Sequence, residues 1–222
     1  MRQHHNWQGQ GLDLPVGKAV CVGRNYLDHI RELSNEVPEE ALLFIKPASS
    51  LCDMHKPFAI PVNLGACHNE LEVAVLIEKP LRRAKPEAVE AAVWGYGLAL
   101  DLTLRDVQSG LKAKGHPWER AKAFDGSCPV SGFVPKADID NPQQLAFNLH
   151  VNGDLRQQGN TAMMMRSIEE LLAEISRSFT LQPGDIVLTG TPKGVGPLTP
   201  GDTLTASLAE QYSLTTKVKA DD

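Results

Sequence analysis

Short apolar runs alternate with turn-rich polar stretches along this chain, and few runs are long enough for more than a single strand or a few helical turns. KAVCVG at 18–23 predicts a strand, and NYLDHIREL after it a turn or two of helix before SNEVPEE breaks the pattern. ALLFIKP at 41–47 predicts a buried strand, followed by a loop-rich stretch that holds Pro57 and Pro61. In HNELEVAVLI at 68–77, strand alternation places Glu70 and Glu72 on one face and Leu71 and Val73 on the other. PEAVEAAVWG opens on Pro86, placed as a helix starter, and passes into GYGLALDLTL, a buried strand with Asp101 inside it.

RDVQSGLKAKG predicts a helix ended by Gly115, and Asn152-Gly153 between alternating segments predicts a hairpin. SIEELLAEISRSF predicts an amphipathic helix, with Ser167 as N-cap, Glu170 completing a capping box, and Ile168, Leu171, Leu172 and Ile175 on one face. From Gln182 onward the pattern is strand and turn, punctuated by Gly and Pro. No repeat, low-complexity segment or linker interrupts it, so the expected architecture is α+β, strand-dominated, with one domain at 18–222 behind an N-terminal extension at 1–17.

Composition narrows the function classes. With 222 residues, 42% hydrophobic and 22% charged, the chain can bury a sizeable core and has no disordered bias. A net charge of −5 without a concentrated basic face argues against a nucleic-acid partner. The start of the chain has no apolar signal-peptide region and no run approaches about eighteen apolar residues, so no membrane partner is expected and a cytoplasmic location is. Cys21, Cys52, Cys67 and Cys128 form no C-x-x-C pair and read as core thiols, Cys128 included, since no His and Asp partners for a nucleophile are recognisable by spacing.

The three carboxylates Glu70, Glu72 and Asp101 carry the chemistry. An ionised Asp between Leu100 and Leu102 is costly unless it is paired, hydrogen-bonded or bound to a metal. An all-oxygen set suits Mg²⁺, Mn²⁺ or Ca²⁺ rather than zinc. Two other readings stay open: a solvated strand face for the two Glu residues, and a salt bridge from Arg105 to Asp101. His68 shares the face of Glu70 and Glu72 and could hydrogen-bond a ligand carboxylate. GTPKGVG lacks the G-K-[ST] ending of a P-loop and reads better as a turn whose N–H groups face a substrate carboxylate.

The order GRNYLDHIRE, LFIKP, HNELE, LDLTLRDVQ, PWERAKAFDGSCPVSGFVP, VNGDLRQQG, GDIVLTGTPKGVGP and GDTLTASL resembles the fumarylacetoacetate hydrolase family from about Lys18 onward, in particular its short acylpyruvate hydrolase and oxaloacetate decarboxylase branch. That resemblance implies a mixed β-roll, Mg²⁺ or Mn²⁺ as cofactor, and a homodimer. It assigns Glu70, Glu72 and Asp101 as metal ligands, His29 and Glu32 as a dyad on a lid, Lys122 as a catalytic pocket lysine, and Gln108 and Thr191 as pocket residues. Arg24 is a candidate carboxylate clamp. His29 and Glu32, three apart, share a helical face, so the carboxylate can orient the imidazole for taking a proton from water.

The implied reaction is metal-dependent C–C cleavage of a small anionic 2-oxo acid: hydrolysis of acylpyruvates, decarboxylation of oxaloacetate, or both. In each, Lys122 stabilises the pyruvate enolate left behind. The alternative within the same family is an isomerase or tautomerase that only moves a proton, and the alternative outside it is a Ca²⁺-stabilised binding module without catalysis. The segment between Leu33 and Pro38 is expected to shape acyl preference.

Overall fold

The structure, a computed structural model, describes residues 3–33 and 36–221. Its largest sheet has seven strands in the order Leu42–Lys46, Ala19–Gly23, Ile186–Leu188, Leu71–Ile77, Val93–Leu100, Cys128–Pro135 and Leu51–Asp53. Ala19–Gly23 runs parallel to Ile186–Leu188, Leu51–Asp53 runs parallel to Cys128–Pro135, and the other neighbours are antiparallel. A five-stranded sheet follows the order Asp154–Asn160, Ala146–Val151, Thr203–Leu208, Tyr212–Asp221 and Phe58–Pro61. A third, small sheet holds Gly196–Pro197, Cys67–Asn69 and Thr103–Leu104.

Every residue of the Leu71–Ile77 strand is buried, because the large sheet is covered on both faces. Leu71, Val73, Val75 and Ile77 join the main core with Phe147, Leu149, Leu204 and Leu208 of the five-stranded sheet. Ala74 and Leu76 face the other way, into a core shared with Ala19, Cys21, Phe133 and Ile186. Leu12, Leu14 and Val16 pack against that second core, while His4 and Trp7 set their rings edge-on to Phe133 and Tyr212 at 5.5 and 5.4 Å.

Helices are few and short. They comprise α1 (Leu27–Glu32), α2 (Arg105–Ala113), α3 (Glu119–Lys122) and α4 (Ile168–Ser178). In α4 the capping box forms as expected, and Ile168, Leu171, Leu172 and Ile175 are all buried. The hairpin also forms, with Asn152 and Gly153 at φ 54° and 92°, the left-handed pair that a two-residue turn between twisted strands requires.

Three expectations need correction. ALLFIKP forms an edge strand whose Leu42–Ile45 are only half-buried, and the fully buried residue of the run is Lys46. The stretch after Pro86 forms two 3₁₀ turns, Pro86–Ala88 and Glu90–Ala92, rather than one α-helix. Glu70 and Asp101 do not lie within strands. Each sits where the chain crosses between the two sheets: Glu70 as it passes from Cys67–Asn69 of the small sheet into Leu71–Ile77 of the large one, Asp101 as it leaves Val93–Leu100 for the small sheet. No described helix is long and apolar enough to cross a membrane.

Ser167→Ala is expected to cost about 1 kcal/mol in urea denaturation at neutral pH. Hydrogen bonds from the Ser167 backbone and side chain hold the Glu170 carboxyl below its usual range. A lowered carboxylate contributes stability above its unfolded pKa and loses it as pH falls through the folded value. The stability difference between wild type and Glu170→Gln should therefore shrink as the medium is acidified below the usual carboxylate range; a difference that grows would contradict this.

Candidate active site

Two chain segments turn the corner between the sheets side by side, and the amide of Asp101 donates to the carbonyl of Glu70 at 2.8 Å. This juxtaposition brings Glu70, Glu72 and Asp101 together: all three are buried, with one oxygen from each lying within 4.8 Å of the others. At an effective dielectric near 20, each such pair of ionised oxygens repels by at least about 3 kcal/mol, so the cluster needs cations.

The protein supplies three. Lys122 Nζ donates to Glu70 Oε2 at 2.8 Å, Asp101 Oδ2 at 2.5 Å and Thr103 Oγ1 at 2.6 Å. Arg105 pairs with Glu70, and its Nη1 also donates to Gln108 Oε1 at 2.7 Å. The Arg105–Asp101 salt bridge left open by the sequence is thus replaced by one to Glu70, because Arg105 opens α2 beyond the small sheet, on the Glu70 side. Lys46 Nζ lies 2.9 Å from Asp101 Oδ1 and donates to Ser127 O at 3.1 Å and to the carbonyl of Lys122.

The resulting electrostatics are uneven. Burial pushes the Glu70 carboxyl up, but the Lys122 and Arg105 charges outweigh it and hold Glu70 well below the usual range. Burial alone would lower Lys122, yet Asp101 and Glu70 raise it above an ordinary lysine, so it stays an ammonium ion. Glu72 is different. Burial, then the charges of Asp101 and Glu70, push its carboxyl well above the usual range, and the 2.6 Å hydrogen bond from the Gly190 amide offsets only part of this.

A divalent cation fits this set on two counts. Among the described residues Glu72 forms no ion pair with a cationic side chain, and Asp101 Oδ1, although close to Lys46, is a buried oxygen without a hydrogen bond. Both leave acceptor capacity of the hard-oxygen kind that Mg²⁺ and Mn²⁺ take.

Of the nine residues expected at the site, eight line one cavity: Arg24, His29, Glu70, Glu72, Asp101, Gln108, Lys122 and Thr191. Glu32 stands behind them. Its Oε2 lies 3.3 Å from His29 Nδ1 and its Oε1 accepts from the Gly194 amide at 2.9 Å, which fastens α1 to the Gly-rich turn. The amides of Gly190 and Gly194 are therefore engaged by protein carboxylates, a correction to the substrate-facing turn expected from GTPKGVG. At Gly190 φ is 99° and a Cβ would stand 2.8 Å from that of Asn25, so glycine is required there. Thr191 donates to Leu71 O at 2.9 Å and accepts from Gln157 at 2.8 Å. Arg24, at φ 63°, donates to Glu36 O at 3.1 Å.

His68 does not line the cavity, and burial together with the Arg105 charge lowers its pKa. Cys128 is a fully buried thiol whose pKa burial raises, as a core residue requires. Ser34 and Asn35 of the segment expected to shape acyl preference lie outside the described residues.

Sequence reasoning missed Lys46, Phe44 and Trp118. A lysine ending an apolar run, LLFIK, is the signal that could have found the first. Lys46→Met should lower the unfolding free energy by about 3 kcal/mol, because it leaves a buried carboxylate short of a partner. Urea denaturation of wild type and variant measures this, and a loss under about 1 kcal/mol would show that Lys46 does not hold Asp101.

The model of the fumarylacetoacetate (FAA) hydrolase C-terminal family matches residues 18–219. The oxaloacetate tautomerase YcgM of Escherichia coli strain K12 is 57% identical over 219 residues, covering 98% of this chain and 100% of its own. The mitochondrial oxaloacetate tautomerase of Bos taurus is 46% identical and covers 90% of each chain. A crystal structure of fumarylpyruvate hydrolase from Pseudomonas aeruginosa, in complex with Mn²⁺ and pyruvate, superposes with a TM-score of 0.90 at 34% identity, over 97% of this chain and 95% of that one. With its strand-dominated mixed sheets and its buried carboxylate cluster, this chain belongs to the fumarylacetoacetate hydrolase family.

Proposed function

We propose that this protein is a divalent-metal-dependent oxaloacetate tautomerase, interconverting the enol and keto forms of that four-carbon 2-oxo dicarboxylic acid as a homodimer. The observation that carries this reading is the 57% identity, over 98% of the chain, to the Escherichia coli oxaloacetate tautomerase. It moves the tautomerase reading ahead of C–C cleavage, which the sequence pattern placed first.

Glu70, Glu72 and Asp101 would hold Mg²⁺ or Mn²⁺, and such an ion when bound supplies Lewis-acid polarisation of a 2-oxo group and its neighbouring carboxylate. The protein's own groups handle the proton. His29 is buried at the cavity wall with Nδ1 toward Glu32, so a proton kept on Nδ1 leaves the Nε2 lone pair for the substrate. A proton leaves C3 for His29, the electron pair moves into the C2–C3 bond, and the 2-oxo oxygen gains negative charge. Lys122 lines the cavity as an ammonium and offsets that charge until His29 gives up the proton it took and the oxygen receives it, which leaves His29 neutral again. No carbon–carbon bond breaks.

Gln108 and Thr191 position substrate, and Arg24 binds a carboxylate. Closure of α1 over the cavity, through Glu32 on Gly194, keeps water away from the enolate.

The second reading, C–C cleavage, is supported by the likeness to fumarylpyruvate hydrolase with Mn²⁺ and pyruvate. The same His29 and Glu32 pair could then activate a water molecule.

A Mg²⁺ titration with enol-oxaloacetate, following enol absorbance and released pyruvate in the same samples, separates the two. Metal-dependent loss of enol without matching pyruvate is expected; pyruvate formed at the rate of enol loss would replace tautomerisation with cleavage. His29→Ala should lower the metal-dependent rate by about 10²- to 10⁴-fold while leaving the melting temperature nearly unchanged, and an undiminished rate would remove His29 from the mechanism.

A further inference from the structure

One face of α2 carries three residues into the cavity wall. Arg105, Gln108 and Lys112 stand three and seven positions apart, which places them within a narrow arc of the helix. Along that face the environment changes. Arg105 is tied to Glu70 at the floor and Gln108 is buried, while Lys112, about 10 Å along the axis from Arg105, is exposed at the rim. Its ammonium lies 5.1 Å from the centroid of the Trp118 ring, which with Phe44 forms the aromatic side of the cavity.

Lys112 differs from the cations below it in its partners. Lys122, Lys46 and Arg105 are each paired with a carboxylate of the cluster, whereas the Lys112 ammonium lies over an aromatic face. Partial desolvation at the rim, then the like charges of Arg24, Arg105 and Lys122, lowers its pKa. Four cationic side chains line the cavity against three carboxylates, which makes the mouth attractive to anions before any ion is counted.

A 2-oxo dicarboxylate has one carboxylate next to its 2-oxo group and a second at the far end. If the first end faces Glu70, Glu72 and Asp101, the second must project toward the mouth, away from those three charges. We propose that Lys112, steadied against Trp118, receives this second carboxylate and selects four-carbon 2-oxo dicarboxylates over 2-oxo monocarboxylates. This rests on the tautomerase reading above. The cation–π contact gives the lysine stem a fixed direction without consuming its charge, so an arriving carboxylate meets a partly ordered partner.

Lys112→Met keeps side-chain length and removes the charge, whereas Lys112→Arg keeps the charge. Tautomerisation of oxaloacetate and its inhibition by pyruvate, which lacks the distal carboxylate, should be measured on the metal-loaded wild type and on both variants. The expected result for Lys112→Met is a rise of about 5- to 10-fold in KM for oxaloacetate, with kcat and the inhibition constant of pyruvate within about twofold. Lys112→Arg should restore most of the loss, and added salt should narrow the gap between wild type and Lys112→Met.

An unchanged KM, or an equal loss for oxaloacetate and pyruvate, would make Lys112 a rim residue without selectivity and overturn the inference while the tautomerase reading stands. Wild-type protein inactive on oxaloacetate would overturn both.

Discussion

Three carboxylates at the centre of the molecule exist only because cations are buried with them, and much of the local architecture serves that compensation. Each cation arrives from a different part of the chain: Lys46 from the edge strand Leu42–Lys46, Arg105 from the start of α2 and Lys122 from the end of α3. Lys46 reaches Ser127 and Lys122 reaches Thr103, bonds that join separate stretches of the chain, while Arg105 is steadied by Gln108 within α2. A buried ion network of this kind is costly to assemble and costly to break at any one member. What it provides is a floor whose three carboxylates are held within reach of one another, with Glu72 as the member short of positive charge.

The floor lies at a corner. Two neighbouring segments cross between the small sheet and the large one at Glu70 and at Asp101, and a strand end is where backbone can turn a side chain inward without breaking a ladder. Above the floor, α1 is only six residues long and has no side-chain N-cap bond; buried His29 and Ile30, the Asp28–Lys193 pair and Glu32 on Gly194 hold it in place. The buried ion network holds charge and α1 carries His29, a division that matches the two tasks of the proposed chemistry: stabilising an enolate and moving a proton.

Much of this was legible in the sequence because the signals were local. The capping box of α4, the Asn152-Gly153 turn and the paired Glu70 and Glu72 each depend on residues a few positions apart. The charge partners were not legible, since Lys46 meets Asp101 and Arg105 meets Glu70 only after the sheets have folded. Spacing offers Asp101 as one partner for Arg105 because it shows distance along the chain, not the corner that brings Glu70 to the guanidinium. Lys46 was read as the end of an apolar strand, yet it is more buried than the leucines beside it. The amides of GTPKGVG were expected to face substrate and instead hold Glu72 and Glu32, a contact that no spacing announces.

The claim on which the rest depends is that Glu70, Glu72 and Asp101 together bind one divalent ion. Calorimetric titration of the purified protein with Mn²⁺, beside the same titration of Glu72→Gln, tests it most directly, with circular dichroism to establish that both are folded. One Mn²⁺ per chain in the wild type, and binding weakened by at least tenfold in a folded Glu72→Gln, is the predicted result. Folded wild type that takes up no Mn²⁺, or a Glu72→Gln variant that binds it equally well, would contradict the account.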